Sequence, residues 1–543
     1  MFFFLISLVV IFTICGNFPE MPKFDHQSID MNELRRSVNQ ISIVDIDEHM
    51  DSLKEFIDKE TSTGKIEPQA LKPLDKRFPM CGAHIVYDSS FDHLEGRSYI
   101  FEGVNSSKYL IVKTHYDDEW DHEDGWYTPS NKGTIITDAY GNKFLAGRNG
   151  MKSPQFAFLE AMETSYRRFG SEWKPPVTII LILDGWHYSL VRNEGLTKQQ
   201  APSTMLKEEN FNFMFAKYLR EVIGVQNAVY WGELGFVQTY DAIGYAVTQY
   251  VRSLALAGVP EFQGFENFYL ETNRMSFIGV KSNGAFAMNY TCTGEQKNIR
   301  LARTLIDIED NVYPSRTCVT DPAKNPVLFE QWLKMIKNIG GIPGIPPGTP
   351  IQIIVGAILP IFAQIMPPTA CQAKFGSFAG TNNFNNKIPL DISMYPSTFT
   401  LKWESEFYYT HPSTEKSEEE YISELIDTAE KYGCSGTHLG SRPGIPLQDY
   451  QNSPDFNFIN DITKSMGLVD SVAVPWIFSG APDVHYYEDL TKIILLFTPK
   501  WIEFDPYGQV SYATHQHEEN ECISFASQEF MVNWYYLAIH NLK

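Results

Sequence analysis

The fold is decided by two segments, YLIVKTHYD at residues 109–117 and SPQFAFLEAMETSYRRFGSEWKPPVTIILILDGWH at residues 153–187. Each contains a continuous apolar run of strand length, YLIV in the first segment and VTIILIL in the second. Apolar side chains at helical spacing predict a helix between them, from Ser153 to Phe169. Continuous apolar strands joined through a helix predict a parallel sheet that is buried on both faces.

The predicted helix has clear ends, which fix where the second strand begins. Ser153 is the predicted N-cap, Pro154 the first helical residue and Gly170 the stop. In parallel sheets, ligands bind beyond the carboxyl ends of the strands. His115 and Asp117 follow the first strand directly, so they are the first candidates for a functional site.

Composition sets the class of protein. The chain has 543 residues, which corresponds to about two to four domains. Its hydrophobic content of 43% and aromatic content of 14% are sufficient for buried cores. The formal net charge of −22 argues against nucleic acid or anionic membrane as the main partner, because both repel an acidic surface.

The N-terminal segment at residues 1–16, MFFFLISLVVIFTICG, predicts a secreted or lumenal protein. It is shorter than the roughly 20 residues that span a membrane, and it fits the core of a signal peptide. No Lys or Arg precedes the apolar run, so an uncleaved membrane anchor stays open as the alternative. The later apolar stretch at residues 351–366 is interrupted by Pro360.

Cysteines and sequons agree with a secretory location. One cysteine, Cys15, lies in the predicted signal, and an even number remains for disulfides whose pairing the sequence does not fix: Cys81, Cys292, Cys318, Cys371, Cys434 and Cys522. Two Asn-x-Ser/Thr sequons begin at Asn105 and Asn289, so a glycoprotein is predicted.

The remaining pattern predicts further helices and strands along the chain. Strands are expected at residues 83–87, 97–101, 227–231, 398–403, 472–478 and 492–497, and helices at 44–56, 207–224, 418–432, 456–466 and 526–540.

Several polar blocks follow these elements in a characteristic order. They are His115-Tyr116-Asp117, Trp126, Gly147–Lys152, Asp184-Gly185-Trp186, Gly232–Gly235, Gly480–His485 and His517–Glu521. In this order the blocks resemble those of the zinc aminoacylase and carboxypeptidase S family of metallopeptidases, which includes secreted hydrolases of N-acyl amino acids. The resemblance extends from about residue 97 to the end of the chain.

The resemblance implies an α/β fold of two domains. A catalytic-type domain with a mixed, mostly parallel sheet between helices would be interrupted by a smaller α+β, ferredoxin-like lid. The predicted boundaries are a signal peptide at 1–16, an N-terminal arm at 17–80, peptidase-like parts at 81–269 and 447–543, and the lid at 270–446.

The resemblance also implies a zinc site, with two ions held by histidines and carboxylates and a glutamate as general base. The two histidines fall on His115 and His517, and Asp117 takes the place that orients the first of them. The other positions carry no metal-binding side chain: the bridging Asp falls on Gly150, the general base on Gly185, and the other two carboxylates on Trp186 and Gly232.

Substrate-binding positions of the lid are changed as well. The expected Gly-His-Ser segment falls on Gly284–Met288 and the expected Arg on Tyr409. Asp184 and Glu233 lie next to lost positions, but strand neighbours point to opposite faces, so both are poorly placed to replace a ligand.

We therefore favour a secreted pseudoenzyme that has lost most of its zinc ligands and the general base. One alternative is an active hydrolase of N-acyl amino acids or peptides, with a single zinc held by His115, His517 and one carboxylate. Another is an interaction or lipid-docking protein that uses the lid, including residues 351–366. The expected ligand of the cleft is an N-acyl amino acid or a peptide.

Overall fold

The computed structural model describes residues 43–58, 72–85, 96–115, 126–129, 132–138, 141–148, 152–184, 211–232, 275–282, 284–312, 330, 334, 374–376, 401–409, 418–468, 471–478, 483–500 and 520–543. The predicted signal peptide and the apolar stretch at residues 351–366 lie outside these ranges. None of the helices within the ranges is both long and apolar enough to cross a membrane.

Helices and strands alternate along the described chain. In chain order they are α1 (Ile46–Ile57), α2 (Lys72–Met80), β1 (Ala83–Ile85), β2 (Gly96–Phe101), β3 (Asn105–His115), β4 (Thr134–Thr137), β5 (Lys143–Ala146), α3 (Lys152–Phe169), β6 (Val177–Asp184), α4 (Phe211–Tyr218), β7 (Ala228–Gly232), β8 (Met275–Ser282), β9 (Gly284–Cys292), α5 (Lys297–Asp307), β10 (Lys374–Gly376), β11 (Leu401–Tyr409), α6 (Glu418–Lys431), β12 (Ser435–Arg442), α7 (Pro454–Ser465), β13 (Val472–Phe478), β14 (Thr491–Leu496), β15 (Cys522–Ser524) and α8 (Phe525–Asn541).

The main sheet has eight strands in the order β1-β2-β6-β3-β7-β14-β8-β13. Strand β3 is parallel to both β6 and β7, and β7 is parallel to β14. Antiparallel pairs join β1 to β2, β2 to β6 and β14 to β8. The predicted mixed, mostly parallel sheet is confirmed, and so is the parallel pairing of β3 with β6.

Both faces of this sheet are covered, as continuous apolar strands require. Along β3, Leu110 and Val112 pack on one side with residues of α1, α2, α3, α7 and α8, whereas Ile111 packs on the other side. That second side is covered by α4 and by a 3-10 helix at Asp483–Leu490. The alternation follows from the period of two along a strand.

Helix α3 begins earlier than predicted. It includes Lys152, so Ser153 lies inside the helix rather than at its N-cap. Pro154 is tolerated there because the first four N–H groups of a helix have no intrahelical acceptor. The predicted stop is confirmed: Gly170 has a φ of +90° and its N–H donates to the carbonyl of Tyr166 at 2.9 Å.

A second, antiparallel sheet has the strand order β10-β11-β9-β12. Its described elements follow the sequence β9-α5-β10-β11-α6-β12, and α5 and α6 pack against the apolar face of β9. A disulfide joins Cys292 at the end of β9 to Cys434, which directly precedes β12. This pairing is one that the sequence did not fix.

The connection between the two sheets is short. Strand β8 lies within the span predicted for the lid, yet it pairs with β13 in the main sheet, and the second sheet starts at Gly284. The returning chain runs beside β8, where the N–H of Gln448 donates to the carbonyl of Val280 at 2.9 Å. The sequence pattern of β8 did not show which sheet the strand joins, because strand pairing depends on segments that are distant in the chain.

Candidate functional site

The candidate site lies at one edge of the main sheet. Strands β6, β3 and β7 are adjacent and parallel, so their carboxyl ends share that edge. The Cα atoms of His115 and Asp184, which end β3 and β6, are register partners. Gly232 ends β7 and pairs with Leu496 of β14. The structure therefore brings together three strand ends that the sequence placed far apart.

Gly232 is the position on which the expected carboxylate ligand falls, and its side-chain space is already occupied. An ideal Cβ at Gly232 would lie 2.1 Å from Cε1 of Tyr230, 2.9 Å from its Cζ and 3.0 Å from its hydroxyl. Residues two apart on a strand face the same side of the sheet, which puts the Tyr230 ring over Gly232. A side chain at residue 232 would require this ring to move.

The Tyr230 ring is held by its surroundings. It has no exposed surface, and its centroid lies 5.8 Å from that of buried Tyr487. The Tyr487 hydroxyl in turn donates to Oδ1 of Asn212 in α4 at 2.8 Å. Tyr230 is a site residue that the sequence analysis missed. The signal was present, since a large aromatic residue stands two positions before a glycine at a strand end.

Three blocks from distant parts of the sequence are joined to one another by backbone hydrogen bonds and strand pairing. The backbone N–H of Tyr127 donates to Oδ1 of Asn520 at 2.6 Å, although the two residues are 393 positions apart. The N–H of Gly147 donates to the carbonyl of Glu521 at 3.0 Å. Strand β15 then pairs with β5, so the chain after the His517 block is joined to the Gly147 block.

Most of the predicted site residues lie outside the described residues. These are Asp117, Gly150, Gly185, Trp186 and His517. Of His115, the structure describes the backbone alone. Within the part of the chain that the structure describes, no group of three or more His, Cys, Asp or Glu side chains could hold a metal ion.

A second missed residue lies on the same strand as His115. Lys113 is fully buried in β3, two positions before His115. A lysine within a continuous apolar strand is unusual because its ammonium must leave water. The sequence already shows this lysine directly after the apolar run of β3.

A cluster of charges near α1 serves the fold. Glu160 in α3 forms ion pairs with Arg77 and Arg167, and its Oε2 lies 3.5 Å from Nδ1 of buried His49. Burial raises the pKa of the Glu160 carboxyl. The interaction with His49 and the charges of Arg167 and Arg77 outweigh burial and lower that pKa to about 2. Because these charges neutralise one another, we interpret the cluster as a link between α1, α2 and α3.

Comparisons with known proteins show the fold. No protein-family model matches the sequence, and no curated protein matches it. Human carnosine dipeptidase 1 superposes with a TM-score of 0.54 at 12% identity, covering 92% of this chain and 98% of that one. The di-peptidase Dug1p from Saccharomyces cerevisiae gives 0.53 at 13% identity, covering 92% and 99%. The M20 family metallo-carboxypeptidase Sso-CP2 from Sulfolobus solfataricus gives 0.51 at 12% identity, covering 91% and 99%. The chain has the fold of these metallopeptidases.

Proposed function

We propose that this chain is a secreted protein with a metallopeptidase fold whose strand-end site no longer catalyses hydrolysis. One observation carries the proposal. At the end of β7, where a carboxylate ligand is expected, residue 232 is a glycine and the ring of Tyr230 fills the space above it. A ligand position that is packed with a buried aromatic ring belongs to the core of the protein rather than to a metal site.

The zinc that the fold implies does not fit the residues at these positions. Zinc is held by imidazole, thiolate and carboxylate groups, and catalytic sites supply three protein ligands. Of the expected positions, His115 and His517 carry such a group, whereas Gly150, Gly185, Trp186 and Gly232 do not. Two imidazoles fall short of the usual set, and no general base remains at the expected position.

The disulfide supports the proposed location. Disulfides such as Cys292–Cys434 persist in oxidising compartments and are rare in the cytosol. Together with the apolar segment at residues 1–16, this favours secretion or residence in the secretory lumen. A strand-end site without catalysis would serve as a binding site, with a peptide or an N-acyl amino acid as the proposed ligand.

An active hydrolase with a single metal ion is the second candidate. It is favoured by the register of β3 and β6, which makes the Cα atoms of His115 and Asp184 direct partners. A zinc ligand set of His115, Asp184 and His517 would reach the three-ligand norm.

Zinc content separates the two candidates. Secreted protein is purified without added metal, and zinc per chain is measured by elemental analysis before and after incubation with excess Zn²⁺. We expect almost no zinc in either sample, and no hydrolysis of dipeptides or N-acyl amino acids. His115→Ala and His517→Ala are compared with His84→Ala, a control whose imidazole is largely exposed in β1. Tightly held zinc that is lost in the first two variants and kept in the third would overturn the proposal.

A further inference from the structure

The two sequons occupy very different places in the fold. Asn105 is exposed at the start of β3, beside Val104, of which 77% is exposed. Its Oδ1 accepts hydrogen bonds from the Ser107 N–H at 3.1 Å and from the Ser107 hydroxyl at 2.8 Å. The amide nitrogen of Asn105, to which a glycan would be joined, lies at the opposite end of the amide group from these bonds.

The backbone around Asn105 is fixed. The N–H of Val104 donates to the carbonyl of Pro175 at 2.8 Å, and that of Asn105 donates to the carbonyl of Pro176 at 3.0 Å. The turn is therefore attached to the segment that leads into β6. A glycan here would extend from an ordered, exposed corner of the sheet and would disturb no packed side chain.

Asn289 lies in the middle of β9, with β11 on one side and β12 on the other. Its neighbours Met288 and Tyr290 are fully buried, and its own Oδ1 is buried. Asn289 itself is partly exposed, and its Cα partners are Glu404 and Thr437, so paired strands flank it on both sides. A glycan is bulky and needs a free surface, and this partly exposed position between two paired strands offers less of it than Asn105 does.

We propose that Asn105 is an N-glycosylation site and that Asn289 remains unmodified in the folded protein. The amide nitrogen of Asn105 would lose one proton and form a C–N bond to the anomeric carbon of an oligosaccharide. The donor is a lipid-linked diphosphate sugar, whose bond between that carbon and the diphosphate oxygen breaks as the diphosphate leaves. The inference rests on the secretory location proposed above and not on the state of the strand-end site.

The place of Asn105 in β3 decides whether a glycan there would cover the candidate functional site. Asn105 pairs with Val177 and His115 pairs with Asp184, seven residues further along β6, so Asn105 lies about 23 Å from His115 at roughly 3.3 Å per residue. The two residues stand at opposite ends of the strand. A glycan on Asn105 would therefore leave the candidate site at the other end of the strand accessible, and it would cover the exposed Val104 instead.

The test is made on the full chain, expressed with its own N-terminal segment in eukaryotic cells. Purified protein is treated with peptide N-glycanase, which releases an N-glycan and converts its asparagine to aspartate. We expect one glycan to be released and peptide mapping to place the new aspartate at residue 105. Asn105→Asp removes the acceptor nitrogen while keeping the Oδ1 that Ser107 contacts, so it should fold normally without the glycan.

Matched variants test the assignment. Ser107→Ala should abolish the glycan and Ser107→Thr should retain it, because the hydroxyl of the sequon is kept only in the second. Asn289→Gln should leave the released glycan unchanged. Formation of the Cys292–Cys434 disulfide, read from a non-reducing peptide map, reports entry into the lumen independently.

Three results would overturn the inference. Unmodified Asn105 in chains that carry the disulfide would show that the exposed sequon is not used. A glycan on Asn289 would contradict the argument from burial. A chain with neither disulfide nor glycan would refute the secretory location on which the inference rests, whereas zinc content would still report separately on the strand-end site.

Discussion

Replacing Gly232 with alanine tests whether Tyr230 occupies the side-chain space at the end of β7. The new Cβ would lie 2.1 Å from Cε1 of Tyr230. Carbon atoms in contact are normally about 3.5–4.0 Å apart, so the ring would have to move by about 1.4 Å or more. Tyr230 is fully buried and packs against Tyr487, so this movement disturbs a second aromatic side chain.

The expected cost follows from two opposing effects. Overpacking a buried site costs about 1–3 kcal/mol. Alanine also restricts the unfolded chain more than glycine does, and this effect stabilises the folded protein by about 0.4–1 kcal/mol. From the middle of each range, about 2 and about 0.7 kcal/mol, we expect Gly232→Ala to lower the free energy of unfolding by about 1.3 kcal/mol. Tyr230→Leu removes the atoms that the new Cβ would meet, so the double variant should cost about 1–2 kcal/mol less than the sum of the single variants.

The free energies are measured by urea unfolding, followed by tryptophan fluorescence with the disulfide intact, and the m-values are compared. Gly436→Ala in β12 is the control, because its ideal Cβ would lie 3.1 Å from Cα of Ile426 and away from Tyr230. Its cost should add to that of Tyr230→Leu within about 0.5 kcal/mol. Unchanged stability of Gly232→Ala, or simple additivity with Tyr230→Leu, would refute the assignment of Tyr230.

The pKa of Glu160 is lowered to about 2. The ionised Glu160 carboxylate therefore stabilises the folded protein by on the order of 3 kcal/mol above about pH 4.5, and this contribution is lost as the pH falls toward 2. In Glu160→Gln, the free energy of unfolding should depend less on pH in that range. Burial, with the charge of Glu163 adding to it, raises the pKa of the Cys81 thiol to about 12; at pH 8 an alkylating reagent should modify this thiol in urea and leave it intact in the folded protein. Reducing the Cys292–Cys434 disulfide should lower the free energy of unfolding by about 2–5 kcal/mol, measured by urea unfolding with and without reductant; equal midpoints would contradict a stabilising role.

The sequence predicted those parts of the fold that local pattern decides. The continuous apolar runs of β3 and β6 are strands, and they pair in parallel because a helix connects them. The end of β7 at Gly232 was also predicted, because an apolar strand there gives way to polar and glycine residues. Strand length, helix period and turn residues are properties of neighbouring positions, and a sequence displays them directly.

What the sequence did not display is pairing between distant segments. Cys292 and Cys434 are 142 positions apart, and nothing local marks them as partners. They meet because the antiparallel register of β9 and β12 places Thr291 opposite Ser435, which brings the adjacent cysteines within 4.4 Å between Cα atoms. Tyr230 is a different case. Its position over Gly232 follows from the period of two along β7, and only the packing that holds the ring, against Tyr487, joins distant segments.

Gly232 and Tyr230 are parts of one packing arrangement, and this limits how the missing carboxylate could be restored. Gly232→Asp alone would place a side chain into a buried ring, and it would bury a charge as well. With Tyr230→Leu the carboxylate would have room, so we expect the double variant to be more stable than Gly232→Asp alone in urea unfolding. Positions 150, 185 and 186 would still lack the bridging carboxylate, the general base and the other carboxylate that the resemblance implies. The double variant should therefore fold without hydrolysing dipeptides, and hydrolysis by it would show that the base is supplied by another residue.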